Sequence, residues 1–309
     1  MAAQIEPFTV PTTDVDTAFD RYEAIRVRLP QAHFAADSRR VRDLGAIADS
    51  FDVFILDAFG VLNVGDRAIP GAVERIAALR AAGKRLFVLT NAASYPRSVA
   101  LAKYRSFGFD FTPEEVVSSR DVTSSALANL ADGGLWAAAS GPAPDLSDLT
   151  GRIENLEEDP SLFERADGFL LLSSANWTAD RQSALVTALT DHPRPLLVGN
   201  PDLVAPRENG LTLEPGWWAH AIADRTTVVP EFFGKPYANA FAAIERRCPE
   251  VKSLRVAMVG DTLHTDILGG RAAGFTAILI TDHGLFAGRA AETYVARSGI
   301  VPDIVCRTT

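Results

Sequence analysis

The sequence predicts an α/β fold with a largely parallel sheet, interrupted by a second and smaller α/β unit. Short apolar runs such as 51–56 and 85–89 alternate with segments of helical periodicity such as 69–83. This alternation favours parallel strands joined by crossover helices. After residue 134 the chain becomes loop-rich and acidic before strands resume. With 309 residues the chain is long for one domain, so we expect a core that carries an insertion.

The predicted core consists of residues 49–133 and 231–309, and residues 134–230 form the inserted domain. Core strands are expected at 51–56, 85–89, 255–259, 276–280 and 303–306. Thr112-Pro113-Glu114-Glu115 has the composition of a helix start, with Thr as the cap and Glu able to return a hydrogen bond.

Residues 1–48 are predicted to be an N-terminal helical extension. The chain up to Val10 is expected to be an extended arm, and apolar residues then recur at helical spacing over 14–29 and over 38–48. We expect both helices to pack on the core, and a contact that forms a homodimer is the alternative.

The composition excludes several classes of protein. The net charge is −9 and the pI is near 5.1, without a run of Lys or Arg, so nucleic-acid binding is not expected. The two cysteines, Cys248 and Cys306, have neither disulfide nor zinc-site spacing. No signal sequence or membrane-spanning stretch is visible, so we expect a cytoplasmic protein without a membrane partner.

Carboxylates follow two of the predicted core strands. Asp57 ends the first strand, and Gly260-Asp261-Thr262-Leu263-His264-Thr265-Asp266 follows the strand at 255–259. Because ligands bind at the carboxyl edge of parallel sheets, Asp57 and Asp261 are expected to form an oxygen-ligand site for Mg²⁺. Asp266 belongs to the same site or caps the following helix, and the residues alone do not separate these roles.

Thr90, Asn91 and Lys235 are the candidate groups for binding a phosphoryl group. Thr90 and Asn91 end another core strand, where a hydroxyl, an amide and backbone N–H groups can hold phosphoryl oxygens. Lys235 lies between Gly234 and Pro236, where the chain returns from the insertion, so its backbone is expected to be fixed.

Strand-Asp57, strand-Thr90, Lys235 and strand-GDTLHTD occur in an order that resembles the haloacid dehalogenase (HAD) superfamily. The insertion lies between the second and third of these motifs, as in the subfamily IIA hydrolases with a C2-type cap, which include p-nitrophenyl phosphatases and phosphoglycolate phosphatases. Within it, VGNPDLVAPRENG (198–210) is similar to the cap signature of that subfamily. The resemblance implies a Rossmann-like core and a small phosphorylated substrate.

The resemblance also implies a role for each matching residue. Asp57 would be the nucleophile that forms an aspartyl-phosphate. Thr90 and Asn91 would bind the transferring phosphoryl group, and Lys235 would neutralise charge between nucleophile and phosphate. Mg²⁺ would be held by the following set: Asp57, the backbone carbonyl of Phe59, Asp261 and, in or near the same shell, Asp266.

Phe59 departs from the pattern of this superfamily's phosphatases. They have a second Asp at this position, which protonates the leaving group and activates water. Since Phe can do neither, alkyl phosphates should turn over slowly and substrates with acidic leaving groups should suffer less. The alternatives are a weakly active or non-catalytic phospholigand-binding protein and a 2-haloacid dehalogenase-like hydrolase. Those dehalogenases have an aromatic residue here but need no metal, whereas GDTLHTD keeps both acidic positions.

Two histidines are candidates to replace the missing acid. His264 and His283 both follow core strands at the expected active edge, and each has an ordinary pKa near 6.5. A structural role is the alternative for both. In the insertion, Trp217, Trp218 and His220 either contact substrate or pack inside the cap.

Overall fold

The computed structural model describes residues 8–130, 133–142, 144–207 and 210–309. Residues 1–7 of the predicted arm, and Glu208 and Asn209 of the cap signature, lie outside these ranges. The α-helices are α1 (Val15–Ala24), α2 (Ala72–Ala81), α3 (Arg97–Ser106), α4 (Ser119–Leu130), α5 (Leu162–Arg165), α6 (Ala179–Asp191), α7 (Pro215–Ala223), α8 (Ala238–Arg247), α9 (Leu268–Ala272) and α10 (Ala291–Ser298). None of the helices in these ranges is long and apolar enough to cross a membrane.

The strands form two parallel sheets and two short hairpins. They are β1 (Arg39–Asp43), β2 (Val53–Leu56), β3 (Asn63–Val64), β4 (Arg67–Ala68), β5 (Arg85–Thr90), β6 (Val116–Ser118), β7 (Leu135–Ala139), β8 (Arg152–Asn155), β9 (Gly168–Leu171), β10 (Leu196–Val198), β11 (Val204–Arg207), β12 (Gly210–Leu213), β13 (Glu231–Phe232), β14 (Val256–Gly260), β15 (Thr276–Ile280) and β16 (Ile304–Thr308). The antiparallel hairpins are β3–β4 and β11–β12.

The larger sheet has the order β1-β16-β15-β14-β2-β5-β6, and all of its pairs are parallel. The central strands β2 and β14 are buried along their whole length. Continuous apolar runs are typical of parallel strands that are covered on both faces. The predicted Rossmann-like α/β core is therefore present.

The N-terminal segment at 38–48 corrects a prediction, because it is a strand and a 3₁₀ helix rather than an α-helix. β1 pairs with β16 and adds an edge strand to the larger sheet, and Leu44–Ser50 forms the 3₁₀ helix. The edge of β16 offers unpaired backbone groups, and pairing with them outweighs the local helical periodicity. The N-terminal part of the chain thus belongs partly to the core sheet.

The smaller sheet lies in the insertion and has the order β13-β10-β9-β7-β8, again with parallel pairs. Its last strand, Glu231–Phe232, lies just beyond the predicted boundary at residue 230. We refer to this sheet and its helices as the cap and to the larger sheet and its helices as the core.

Residues 112–115 do not begin a helix. The Glu115 carboxylate accepts a hydrogen bond from the backbone N–H of Thr112 (2.9 Å), as a capping pair would. The chain then enters β6, which pairs with β5, and helix α4 begins only at Ser119. Pairing with a buried strand has overridden the local helix signal.

Helix α1 contacts both the core and the cap. On the core side, Tyr22 stacks on His264 with ring centroids 4.7 Å apart, and the Glu23 carboxylate lies 2.5 Å from the same imidazole. On the cap side, the Tyr22 hydroxyl oxygen accepts a hydrogen bond from Leu203 N (3.1 Å). The predicted first helix is confirmed, and it joins the two parts of the molecule.

Candidate active site

Asp57 and Asp261 lie side by side because β2 and β14 are neighbours in register. Leu56 pairs with Val259, and the backbone N–H of Asp57 donates to the Val259 carbonyl (2.8 Å). Each strand therefore delivers its aspartate to the same edge of the sheet. This is the carboxyl edge, where ligands bind in open α/β folds.

Lys235 is buried between two of the carboxylates. Its ammonium lies 2.7 Å from Asp57 Oδ1 and 2.6 Å from Asp266 Oδ1, and the side chain is only 2% exposed. The Asn91 amide holds its backbone, accepting from Lys235 N (2.8 Å) and donating to Lys235 O (2.9 Å). At Gly234, with φ +126°, an added Cβ would lie 2.6 Å from Asn91 Oδ1. The structure thus gives Lys235 the fixed backbone that was expected.

Backbone donors orient the carboxylates of Asp261 and Asp266. Asp261 Oδ2 accepts from Leu285 N (2.6 Å), and Asp266 Oδ2 accepts from Thr262 N (3.1 Å) within a π-helical turn. Gly284 has φ +78°, and a Cβ there would lie 1.9 Å from Asp261 Oδ2. Glycine is therefore required where the loop before α10 closes over Asp261.

Burial and mutual charge shift the pKa values of these groups. Burial raises the pKa of Asp57 to about 6, against the opposing ammonium of Lys235. Burial, followed by the charges of Asp266 and Asp57, raises the pKa of Asp261 well above its ordinary value. Burial alone would lower the pKa of Lys235, but the carboxylates around it outweigh this and raise it. One ammonium thus faces several carboxyl groups, so the site can accept further positive charge.

The acidic cluster fits a divalent cation. Asp57, Asp261 and Asp266 each offer an oxygen atom, and these atoms lie within 4.8 Å of one another. In the described part of the chain no donor bonds to the Phe59 carbonyl oxygen, which leaves it available as a further ligand. Oxygen donors of this kind suit Mg²⁺ and Ca²⁺.

Thr90 and Asn91 have different surroundings. Thr90 ends β5 and lines the cavity above Asp57, and its hydroxyl oxygen accepts from Ala92 N (3.2 Å). The Asn91 amide nitrogen instead donates to Asp202 Oδ1 (2.8 Å) and to Lys235 O. The Asn91 amide is therefore engaged with protein groups, including the backbone of Lys235, and its predicted contact with a phosphoryl group stays a prediction.

The structure places both candidate histidines away from the cavity, so it gives no support to their predicted role as the missing acid. His264 is buried beneath α1 against Glu23, and the His283 imidazole lies 3.2 Å from the Thr308 hydroxyl. Neither is among the residues that line the cavity, and burial lowers the pKa of both. The His264 imidazole contacts Tyr22 and Glu23 because the N-terminal helix α1 packs over it.

A cavity of about 760 Å³ lies above Asp57, between the core and the cap. Phe59 lines it on the core side. Of the three aromatic candidates in the cap, only Trp218 lines the cavity. Trp217 packs under the Arg21 guanidinium at 5.9 Å, and His220 stacks on Phe232 at 4.5 Å, so both have packing roles.

The cap also contributes residues that were not predicted to belong to the site. They include Trp177, Asn200, Asp202, Arg207 and Glu214. Asn200-Pro201-Asp202 stands in the cap signature one residue after β10, and this is the signal that could have placed Asn200 and Asp202 at the site.

Two family models match the two parts of the core. One, described as a haloacid dehalogenase-like hydrolase, matches residues 54–146, and the other, HAD-hydrolase-like, matches residues 232–307. Together they span more than half of the chain and contain Asp57, Thr90, Lys235 and Asp261. The chain belongs to the haloacid dehalogenase-like hydrolases. The predicted family resemblance is confirmed.

Relatives of this hydrolase include proteins named as phosphatases. It is 29% identical over 297 residues to glycerol-3-phosphate phosphatase of Gallus gallus, covering 87% of this chain and 95% of that protein. A crystal structure from Cytophaga hutchinsonii described as a possible sugar phosphatase has a TM-score of 0.76 at 26% identity, covering 88% and 98% of the two chains. Glycerol phosphate phosphatase from Mycobacterium tuberculosis, in complex with calcium, has a TM-score of 0.61 at 25% identity, covering 77% and 68%.

Proposed function

We propose that this hydrolase is a Mg²⁺-dependent phosphatase that cleaves a small phosphorylated metabolite through an aspartyl-phosphate on Asp57. The observation that carries the proposal is that Asp57 and Asp261 converge in the wall of one cavity, with the buried Lys235 ammonium in contact with Asp57. Phosphoryl transfer depends mainly on positioning and on stabilisation of charge, and this cluster supplies both.

Each group has a role in the proposed reaction. The Asp57 carboxylate attacks phosphorus, while the Lys235 ammonium orients it and offsets the charge of the phosphoryl oxygens. The Thr90 hydroxyl hydrogen-bonds one of those oxygens. Asp57, Asp261 and the Phe59 carbonyl, with Asp266 beside them, would hold Mg²⁺. When bound, the ion would neutralise further charge on the phosphoryl group.

The proposed substrate is a phosphorylated polyol or sugar. The relatives are named for glycerol phosphates and for sugar phosphates, and a cavity of about 760 Å³ is large enough for a molecule of this size. Because Phe59 offers no proton, the proposal includes slow turnover of alkyl phosphates relative to p-nitrophenyl phosphate, unless another group donates the proton.

The test is hydrolysis of p-nitrophenyl phosphate and glycerol 3-phosphate with Mg²⁺ and with EDTA. We expect activity that needs Mg²⁺ and is lost in Asp57→Asn. Asp52→Asn is the matched control, since Asp52 lies just before β2 at its other end and pairs with Arg255. Activity that persists in EDTA would contradict the proposal.

The same assay separates the two alternatives. A phospholigand-binding protein would turn over neither phosphate ester but would be stabilised against heat by beryllium fluoride with Mg²⁺. A dehalogenase would release halide from a 2-haloacid without metal. Because Asp261 and Asp266 converge with Asp57, we expect no such release.

A further inference from the structure

Asp202 is a cap carboxyl group that lines the cavity together with Asp57. Its Oδ1 accepts a hydrogen bond from Asn91 Nδ2 (2.8 Å). The same Asn91 amide holds the backbone of Lys235, whose ammonium contacts Asp57. A chain of short contacts therefore connects the cap carboxyl group to the nucleophile. Among the described residues no group donates to the second oxygen of Asp202, so this oxygen can interact with a ligand.

Glu214 is the other cap carboxylate in the cavity wall, and its oxygens are already engaged. Oε1 accepts from Thr212 (2.9 Å) and from Arg207 (3.1 Å), and Oε2 accepts from Asn200 (3.2 Å). Apart from Asp57 and Asp261, two carboxyl groups line the cavity within the described ranges, and they are Asp202 and Glu214. Of these two, Asp202 has an oxygen that accepts no hydrogen bond from the protein.

The groups around Asp202 let it exchange a proton near neutral pH. Burial raises its pKa to about 7, with Lys235 opposing the rise and with Asp57 and Asp266 adding to it. From α1, the Tyr22 hydroxyl also faces this region, and burial followed by the charge of Asp202 raises its pKa, so it stays neutral. An acid with a pKa near the working pH can both donate and accept a proton in one cycle.

We propose that Asp202 is the general acid and base of this hydrolase and replaces the carboxyl group that position 59 lacks. The inference rests on the proposed function. As the Asp57 oxygen bonds to phosphorus and the bond to the leaving oxygen breaks, protonated Asp202 gives its proton to that oxygen and an alcohol departs. The Asp202 carboxylate then takes a proton from water as the water oxygen bonds to phosphorus. The bond from phosphorus to Asp57 breaks, inorganic phosphate departs, and Asp202 is protonated again.

The test compares two leaving groups in Asp202→Asn. Asparagine keeps an oxygen that can accept from Asn91, so the positioning contact is retained while the proton is lost. We expect kcat/KM for glycerol 3-phosphate to fall about 100-fold. With p-nitrophenyl phosphate, whose leaving group needs no proton, the first turnover should be nearly unchanged while later turnovers slow, which gives a burst of p-nitrophenolate. In wild type we expect kcat/KM for glycerol 3-phosphate to change with pH near pH 7, and in Asp202→Asn this change should disappear.

Two further variants make the result specific. Phe59→Asp in the Asp202→Asn background should restore hydrolysis of glycerol 3-phosphate. Glu214→Gln removes a neighbouring, partly buried carboxylate and should change the rates with both substrates by the same factor.

Three outcomes would overturn the inference. If Asp202→Asn lowers the first turnover of both substrates equally, Asp202 only positions Asn91. If wild type is active and Asp202→Asn matches it, Asp202 has no role and the proposed function stands. If wild type turns over neither substrate, the inference fails together with the proposed function.

Discussion

Replacing Lys235 with methionine tests the electrostatic account of the site most directly. The substitution keeps the apolar stem of the side chain and removes its ammonium, which lies 2.7 Å from Asp57 and 2.6 Å from Asp266. The Lys235 side chain is only 2% exposed, so the ion pairs are buried. Breaking a buried ion pair by removing one partner costs about 3–5 kcal/mol, because the other charge stays buried. Here two carboxylates lose the same partner, so we expect a loss near the upper end of this range.

The loss should depend on pH in a defined direction. In the variant the folded-state pKa of Asp57, already raised to about 6 in the native protein, rises further above its unfolded value. A carboxyl group with a raised folded-state pKa destabilises the protein once pH exceeds the unfolded value, and protonation removes the penalty. The stability difference between wild type and Lys235→Met should therefore be larger at pH 8 than at pH 5.

The measurement is urea unfolding of wild type and variant in EDTA at both pH values. Lys252→Met is the matched control, since Lys252 pairs with Glu245 at 3.0 Å and is 68% exposed. Exposed pairs contribute about 0–1 kcal/mol, so this variant should differ little from wild type. A loss for Lys235→Met no larger than for the control, or one that grows towards pH 5, would refute the reasoning.

Three further predictions concern the same region. Gly284→Ala places a Cβ 1.9 Å from Asp261 Oδ2, so thermal melts should show less stabilisation by Mg²⁺ in this variant than in wild type. Glu23→Gln removes the charged partner of His264 and should lower the free energy of unfolding by about 1 kcal/mol. The pH profile of hydrolysis should stay the same. A shifted profile would make His264 a candidate acid again. Mg²⁺ should raise the melting temperature more at pH 7.5 than at pH 5, because a pKa of about 6 leaves Asp57 largely protonated at the lower pH, and equal shifts would contradict this.

Local patterns in the sequence were sufficient for the five inner strands of the core sheet and for the aspartates at their carboxyl ends. The apolar run of β2 ends at Asp57 and that of β14 ends at Gly260-Asp261, and in a parallel sheet such ends meet at one edge. The signals that failed were also local. Residues 38–48 have helical spacing and Thr112 has a capping partner, but strand pairing with β16 and β5 decided both segments.

Contacts between distant parts of the chain decided the rest of the site. His264 follows a core strand, as a catalytic histidine could, but Glu23, 241 residues away, occupies it. Asn91 ends a strand as a phosphate-binding residue would, yet it bonds to Asp202, 111 positions away. The order of the motifs along the chain thus specified the family, the fold and the candidate nucleophile, because those depend on residues at strand ends. The hydrogen-bond partner of each polar group depends on how the cap and α1 pack over the sheet. That packing cannot be predicted from the spacing of residues along the sequence.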